Sequence, residues 1–168
     1  TSHLILGDCA EVMNGKEEGS VDLIFADPPF NIRRTGYGEA VDDDRPFEEY
    51  VEWTQEWLSS AVRLLTRHGT IIVNVWDNVA AEVVVEMKLL GLTLRRWCVW
   101  HYRFGQNTKG NYIQSKQHVL IFTRHPHLYT FNADDVLVES DRVRLGDKRT
   151  HNKKDGGTAG KRTPFDVW

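Results

Sequence analysis

Cysteine is scarce in this 168-residue sequence: Cys9 and Cys98 stand far apart, with no second pair and no histidine at metal-ligand spacing. That excludes a disulfide framework and a zinc site, so no metal is expected and the two thiols should be reduced and buried. Long apolar runs are also missing. No stretch approaches the roughly 20 apolar residues needed to cross a bilayer. The start, Thr1-Ser2-His3, has neither a basic nor an apolar leader segment, so a cytoplasmic protein is expected. The lack of an initiator Met and the end at Trp168 leave open that the chain is a piece of something longer. There is no internal repeat, and the net charge of −3 gives no general support to a polyanionic partner.

What is present suits one globular core. Hydrophobic residues make up 40%, with six Trp, five Tyr and seven Phe, enough for a large interior or for stacking on planar ligands. Charge is uneven along the chain. Residues 142–162 carry eight basic side chains (Arg142, Arg144, Lys148, Arg149, Lys153, Lys154, Lys161, Arg162) against Asp147 and Asp155, a local balance of +6. Such a segment suits a polyanion, and equally a solvated, flexible stretch.

Short apolar runs alternate with helical patterns, which predicts an α/β fold built on a parallel sheet covered on both faces. Strands are expected at 4–6, 21–26, 70–75, about 92–100 and 118–123. The second reads as a buried parallel strand because Asp22 alone interrupts it. Apolar residues recur at helical spacing from Pro46 to Leu65, and Glu48, Glu49, Glu52 and Glu56 load the start of that helix favourably for its dipole. A second helix should be capped by Asp77 or Asn78 and end before Gly91. Trp97 and Trp100 individually read as core. Beyond Thr123 periodicity fades, giving residues 1–124 as the main body and 125–168 as a basic, partly flexible recognition or linker segment.

The most informative feature is Asp27-Pro28-Pro29-Phe30, directly after the apolar run 21–26. Two prolines cannot continue a ladder, so the chain must leave the sheet in a stiff turn at a strand's carboxyl end. Ligands bind there in open α/β sheets. Such a turn holds a carboxylate, a backbone carbonyl and an aromatic ring in fixed relation, which suits a planar base bearing an amino group.

These residues resemble the signature of the DNA amino-methyltransferases that act on N6 of adenine or N4 of cytosine, in the class whose catalytic motif precedes its cofactor motif. Gly7-Asp8-Cys9, Ser20-Val21-Asp22-Leu23-Ile24, Phe47-Glu48-Glu49-Tyr50 with Trp53 and Trp57-Leu58, and Gly69-Thr70-Ile71-Ile72 are similar to the same class. The resemblance implies a partial doubly wound, Rossmann-like sheet, S-adenosylmethionine as cofactor, double-stranded DNA as partner, and direct transfer to a flipped base. In that scheme Phe30 stacks on the base, and Asp27 with the carbonyl of Pro28 or Pro29 accepts hydrogen bonds from its amino group. Asp27, Asp8 and Cys9 lie toward the cofactor. Asp8 accepts from the cofactor's adenine, a role that can coexist with capping the helix after it. The Asp at position 27 favours adenine.

Arg33, Arg34 and Tyr37, with Gly36 and Gly38, resemble the family's catalytic loop and would meet DNA, as would Arg103, Lys148, Arg149, Lys153 and Lys154. The run from Trp100 to Asn107 combines aromatics, Arg and amides that could line a base pocket. The glycines at 156, 157 and 160 lack the spacing and the Ser/Thr of a P-loop. Asp42-Asp43-Asp44 lacks the Gly and Glu of a calcium loop, and reads as an acidic turn leading into a helix. The family's later Phe-x-Gly-x-Gly motif is absent. The resemblance therefore implies the catalytic-motif half of a methyltransferase, with an unpaired edge beside strand 21–26, needing a C-terminal half or second polypeptide and inactive alone.

Overall fold

The computed structural model describes residues 1–33, 43–105, 108–146 and 160–168. Short helix α1 (Cys9–Asn14) opens the fold and is capped by Asp8, whose Oδ1 accepts from the backbone N–H of Ala10 at 2.9 Å and Glu11 at 3.0 Å. Strand β1 (Val21–Ala26) follows. Helix α2 (Phe47–Leu64) starts behind Pro46, with Glu48 and Glu49 in its first turn and Arg63 in its last, each matched to the dipole. The Arg63 guanidinium also donates to the carbonyls of Met13 and Lys16, tying α2 to the end of α1.

Strand β2 (Leu65–Val75) begins without a loop after α2, then come α3 (Ala80–Leu89), β3 (Thr93–His101) and β4 (Lys116–Thr123). Strand β2 is longer than the run 70–75 suggested, and its polar start is absorbed by an irregularity between the pairs Val21 with Leu65 and Leu23 with Thr70. The strand order is β1-β2-β4-β3. In this sheet β1 and β2 run parallel and β4 inserts antiparallel between β2 and β3, so the expected parallel sheet is a mixed one. A return of 14 residues, 102–115, joins β3 to its antiparallel neighbour β4.

The core joins Tyr50, Trp57 and Leu58 of α2 and Val83 and Met87 of α3 to Ile71 and Val73 of β2 and Leu120 and Phe122 of β4. From β1, Ile24 and Ala26 pack against this core, whereas the alternate residues Leu23 and Phe25 are exposed. β1 is therefore buried on one face only, which corrects its reading as a strand covered on both. Residues 4–6 form no strand, and Leu4 and Leu6 stand fully exposed. Among the described residues nothing pairs with the free edge of β1 or with residues 4–6, and a lone extended segment leaves its backbone groups to water.

Two further expectations change. Asp77 does not cap α3, whose N-cap is Val79 with no side-chain hydrogen bond. Trp97 and Trp100 are exposed rather than core, and so is Cys9, while Cys98 is buried.

The chain divides into a unit of residues 1–130 with 167–168, and a second of residues 131–166. In the first, Trp168 donates from its N–H to the Val99 carbonyl at 3.0 Å and accepts from His101 at 2.7 Å. In the second, β5 (Val138–Glu139) pairs antiparallel with β6 (Lys161–Arg162) around α4 (Asp141–Arg144). There Arg162 bonds Asp141 at 3.1 Å and covers the Phe165 ring.

Candidate active site

The parallel register pairs Ala26 with Val73, so the residues that follow, Asp27 and Asn74, emerge side by side at the carboxyl end of the sheet. Asn74 Nδ2 donates to Asp27 Oδ1 at 2.9 Å and to Gln117 Oε1 of β4 at 2.9 Å. Asp27 Oδ2 and the Pro28 carbonyl have no partner among the described residues. The Pro29 carbonyl is taken, because the Tyr50 hydroxyl donates to it at 2.6 Å. Burial, and then the nearby Asp43 carboxylate, push the Tyr50 hydroxyl up to about 12, so it stays a donor throughout the neutral range.

Phe30 is 7% exposed and stacks on Trp76, with centroids 5.7 Å apart and planes at 27°. The next residues are bent back by two non-glycine positions in the left-handed region, Asn31 at φ 58° and Arg33 at φ 60°. Asn31 exchanges side-chain hydrogen bonds with the Arg45 backbone at 2.7 and 2.8 Å, and its own N–H donates to the buried Asp43 carboxylate at 2.8 Å. The Arg33 N–H donates to the Asp43 carbonyl at 2.8 Å, and its guanidinium pairs with Asp44 at 2.7 Å. The acidic run thus holds the two ends of one segment together.

Beside the turn lies a cavity of about 340 Å³ whose wall includes Cys9, Ile24, Asp27, Pro28, Trp53 and Trp57. The Trp57 indole N–H is buried without a partner among the described residues. Partial desolvation in the cavity wall, then the neighbouring Asp8 carboxylate, raise the Cys9 thiol above its ordinary value, so it is no activated nucleophile. Asp8 spends Oδ1 on the helix start.

Beyond β2, Asp77 accepts from Lys116, His118 and Gln114. Burial acts to raise its pKa, but these donors outweigh it and hold the carboxyl below its ordinary value. His118 accepts at Nδ1 from the Trp97 indole at 2.7 Å. Further along, Tyr102 stacks on the exposed Phe104 with centroids 4.5 Å apart, and Arg103 is exposed. Among the described residues no three His, Cys, Asp or Glu side chains gather as for a metal ion, and no helix is long and apolar enough to cross a membrane.

The structure brings Asp27, Pro28, Pro29 and Cys9 to one cavity, and sets Phe30 against Trp76. Arg34, Gly36, Tyr37, Gly38, Gln106, Asn107, Lys148, Arg149, Lys153 and Lys154 lie outside the described residues. Sequence reasoning passed over Asn74, Gln117 and Tyr50. The available signal was an amide closing the apolar run Ile71-Ile72-Val73, next to a neighbour strand that ends in a carboxylate.

The N6_N4_Mtase family model, described as DNA methylase, matches residues 21–168. Type II methyltransferase M.HpaI of Haemophilus parainfluenzae is 34% identical over 80% of this chain and 43% of its own length. DNA adenine methyltransferase YhdJ of Escherichia coli is 32% identical over 82% of this chain and 46% of its own. The chain spans less than half the length of these curated relatives. Among solved structures, PvuII DNA methyltransferase (cytosine-N4-specific) aligns with 97% of this chain and 55% of its own at TM-score 0.61 and 14% identity. A DNA modification methylase from Thermus thermophilus, complexed with S-adenosyl-L-methionine, aligns with 78% of this chain and 58% of its own at TM-score 0.56 and 21% identity. Both likenesses concern the fold, and they agree with a partial methyltransferase sheet.

Proposed function

The chain belongs to the N6/N4 DNA methylase family, and from that premise we propose that the full-length protein methylates an exocyclic amino group in double-stranded DNA, N6 of adenine, with S-adenosylmethionine as cofactor. The observation that carries this reading is the turn after β1, where Asp27 Oδ2 and the Pro28 carbonyl stand as two open acceptors beside a cavity. An amino group has two hydrogens to give, and two acceptors on a stiff Pro-Pro frame match it. Accepting both draws the nitrogen toward a pyramidal form whose lone pair can attack. The rest is alignment and electrostatics, with no covalent intermediate on the protein.

S-adenosylmethionine supplies the electrophilic methyl group when bound. The donor set fits it: Asp8 keeps its second carboxylate oxygen for an adenine amino group, while Cys9 and Asp27 share the wall of the adjoining cavity. Phe30 is assigned the face of the flipped base. Because that ring is buried against Trp76, capture requires the pair to open or the stack to rearrange. Arg33, Arg34, Tyr37 and Arg103, with Lys148, Arg149, Lys153 and Lys154, are assigned to DNA, and a modification role in the cytoplasm suits the Type II relatives. The exposed Leu23 and Phe25 on β1 support the view that this chain is covered there by a further half or a second polypeptide, and transfers no methyl group alone.

The test is Asp27→Ala in the full-length protein. Single-turnover transfer from labelled cofactor should fall by at least about 10²–10³-fold, the usual loss when a preorganised partner is removed, while cofactor affinity falls far less. A loss of only a few-fold would remove Asp27 from the chemistry. Locating the methyl group in the product DNA decides between adenine and cytosine.

A further inference from the structure

Asn74 is buried, yet its Oδ1 has no partner among the described residues while Nδ2 serves two acceptors. Since a carboxylate only accepts, the atom facing Asp27 must be the amide nitrogen. An orphaned buried acceptor costs stability, so this residue is not explained by packing. We propose that Asn74, braced by Gln117, is a positioning residue for methyl transfer: it occupies Asp27 Oδ1 and turns Oδ2 toward the target amine.

The inference rests on the proposed function and adds two residues to it. Three strands contribute. The turn after β1 supplies the carboxylate, β2 the amide that grips it, and β4 the oxygen that fixes the amide. Tyr50 does the corresponding work on the backbone side by taking the Pro29 carbonyl, which leaves that of Pro28. The acceptor pair is thus selected by occupying the alternatives. Without Asn74 the Asp27 carboxylate can rotate, and both of its oxygens compete for water and amine.

The experiment uses Asn74→Asp, close in volume, and Asn74→Leu, which has the same branching and number of heavy atoms, in the full-length protein. For Asn74→Leu the single-turnover rate should fall about 10²-fold, as for a small misplacement of a reacting group. The KM for DNA and the cofactor affinity should stay within about twofold, and Tm should change little, because the loss of two hydrogen bonds is offset in part by removal of the orphaned oxygen. Asn74→Asp sets two carboxylates together, and such a pair shares a proton. Of the other charged groups on these strands, Asp22, Arg67 and His68 lie at the far end of the β1–β2 pair, while Asp77 just beyond β2 is bonded to Lys116 and His118 on either side of Gln117. Transfer by Asn74→Asp should therefore be low at neutral pH and recover in part as the pH falls, since the new carboxyl, once protonated, again donates to Asp27. The unaltered protein should lack that limb.

A wild-type rate in both variants, with Asp27→Ala dead, would overturn the inference alone. So would a parallel fall of rate, affinity and Tm in Asn74→Leu, or a pH-independent loss in Asn74→Asp. Transfer retained by Asp27→Ala would instead overturn the functional reading beneath it.

Discussion

Strands β1 and β2 lie side by side and are built differently. In β2, Ile71 and Val73 are fully buried; in β1, Leu23 and Phe25 are 59% and 64% exposed. The half-covered strand is the one that ends in the candidate catalytic turn. Its accuracy is therefore borrowed: Asn74 of β2 holds Asp27, Tyr50 of α2 holds Pro29, and Asp43 with Arg45 holds Asn31. A site can be rigid on a strand that is not, provided each polar group of the turn is tied to something that is.

Three substitutions would break or sharpen that contrast. Ile71→Ala in β2 should cost about 2–5 kcal/mol in chemical denaturation, the usual range for a buried aliphatic residue, and a cost under about 1 kcal/mol would mean β2 is not the rigid partner. Tyr50→Phe should cost about 1–3 kcal/mol by leaving the Pro29 carbonyl unpaired. It should also change the alkaline behaviour. The Tyr50 hydroxyl is raised from 10 to about 12, so its contribution is complete below pH 10 and is lost as the pH rises through about 12. A stability profile from about pH 9 to about 12 should show that decline in the unaltered protein and not in the variant. Leu23→Ser on the open face of β1 should stay within about 0.5 kcal/mol in this chain. A larger cost would show that the face is covered after all.

Periodicity and the Pro-Pro turn made much of this legible. The helical stripe from Tyr50 to Leu65 and the strands ending at Ala26 and Val75 are local patterns, and local patterns survive in the fold. The order of strands is not local. That β4 separates β2 from β3 depends on the chain reversal after His101, where Gly105, Asn107, Gly110 and Asn111 signal a loop but not which strands it brings together. Residues 4–6 have a strand's composition and, among the described residues, no neighbour to pair with. Asp77 illustrates a competition that sequence hides: it stands where a cap is wanted, but Lys116 and His118 arrive from a distant strand and bind it first. Asn74 was passed over for the opposite reason, being polar in a run whose neighbours all said interior.

One consequence concerns how this scaffold can change over time. Residues 33 and 43 are pinned to each other by a backbone hydrogen bond of 2.8 Å, reinforced by Asn31 reaching Arg45 and Arg33 reaching Asp44. With both ends clamped, insertions or deletions between them alter mainly closure entropy, about 0.6 kcal/mol for each doubling of length. A change in the number of residues between the two clamped ends should therefore leave the acceptors after β1 in their places. The clamp thus isolates the geometry of the turn from the length of the segment that follows it.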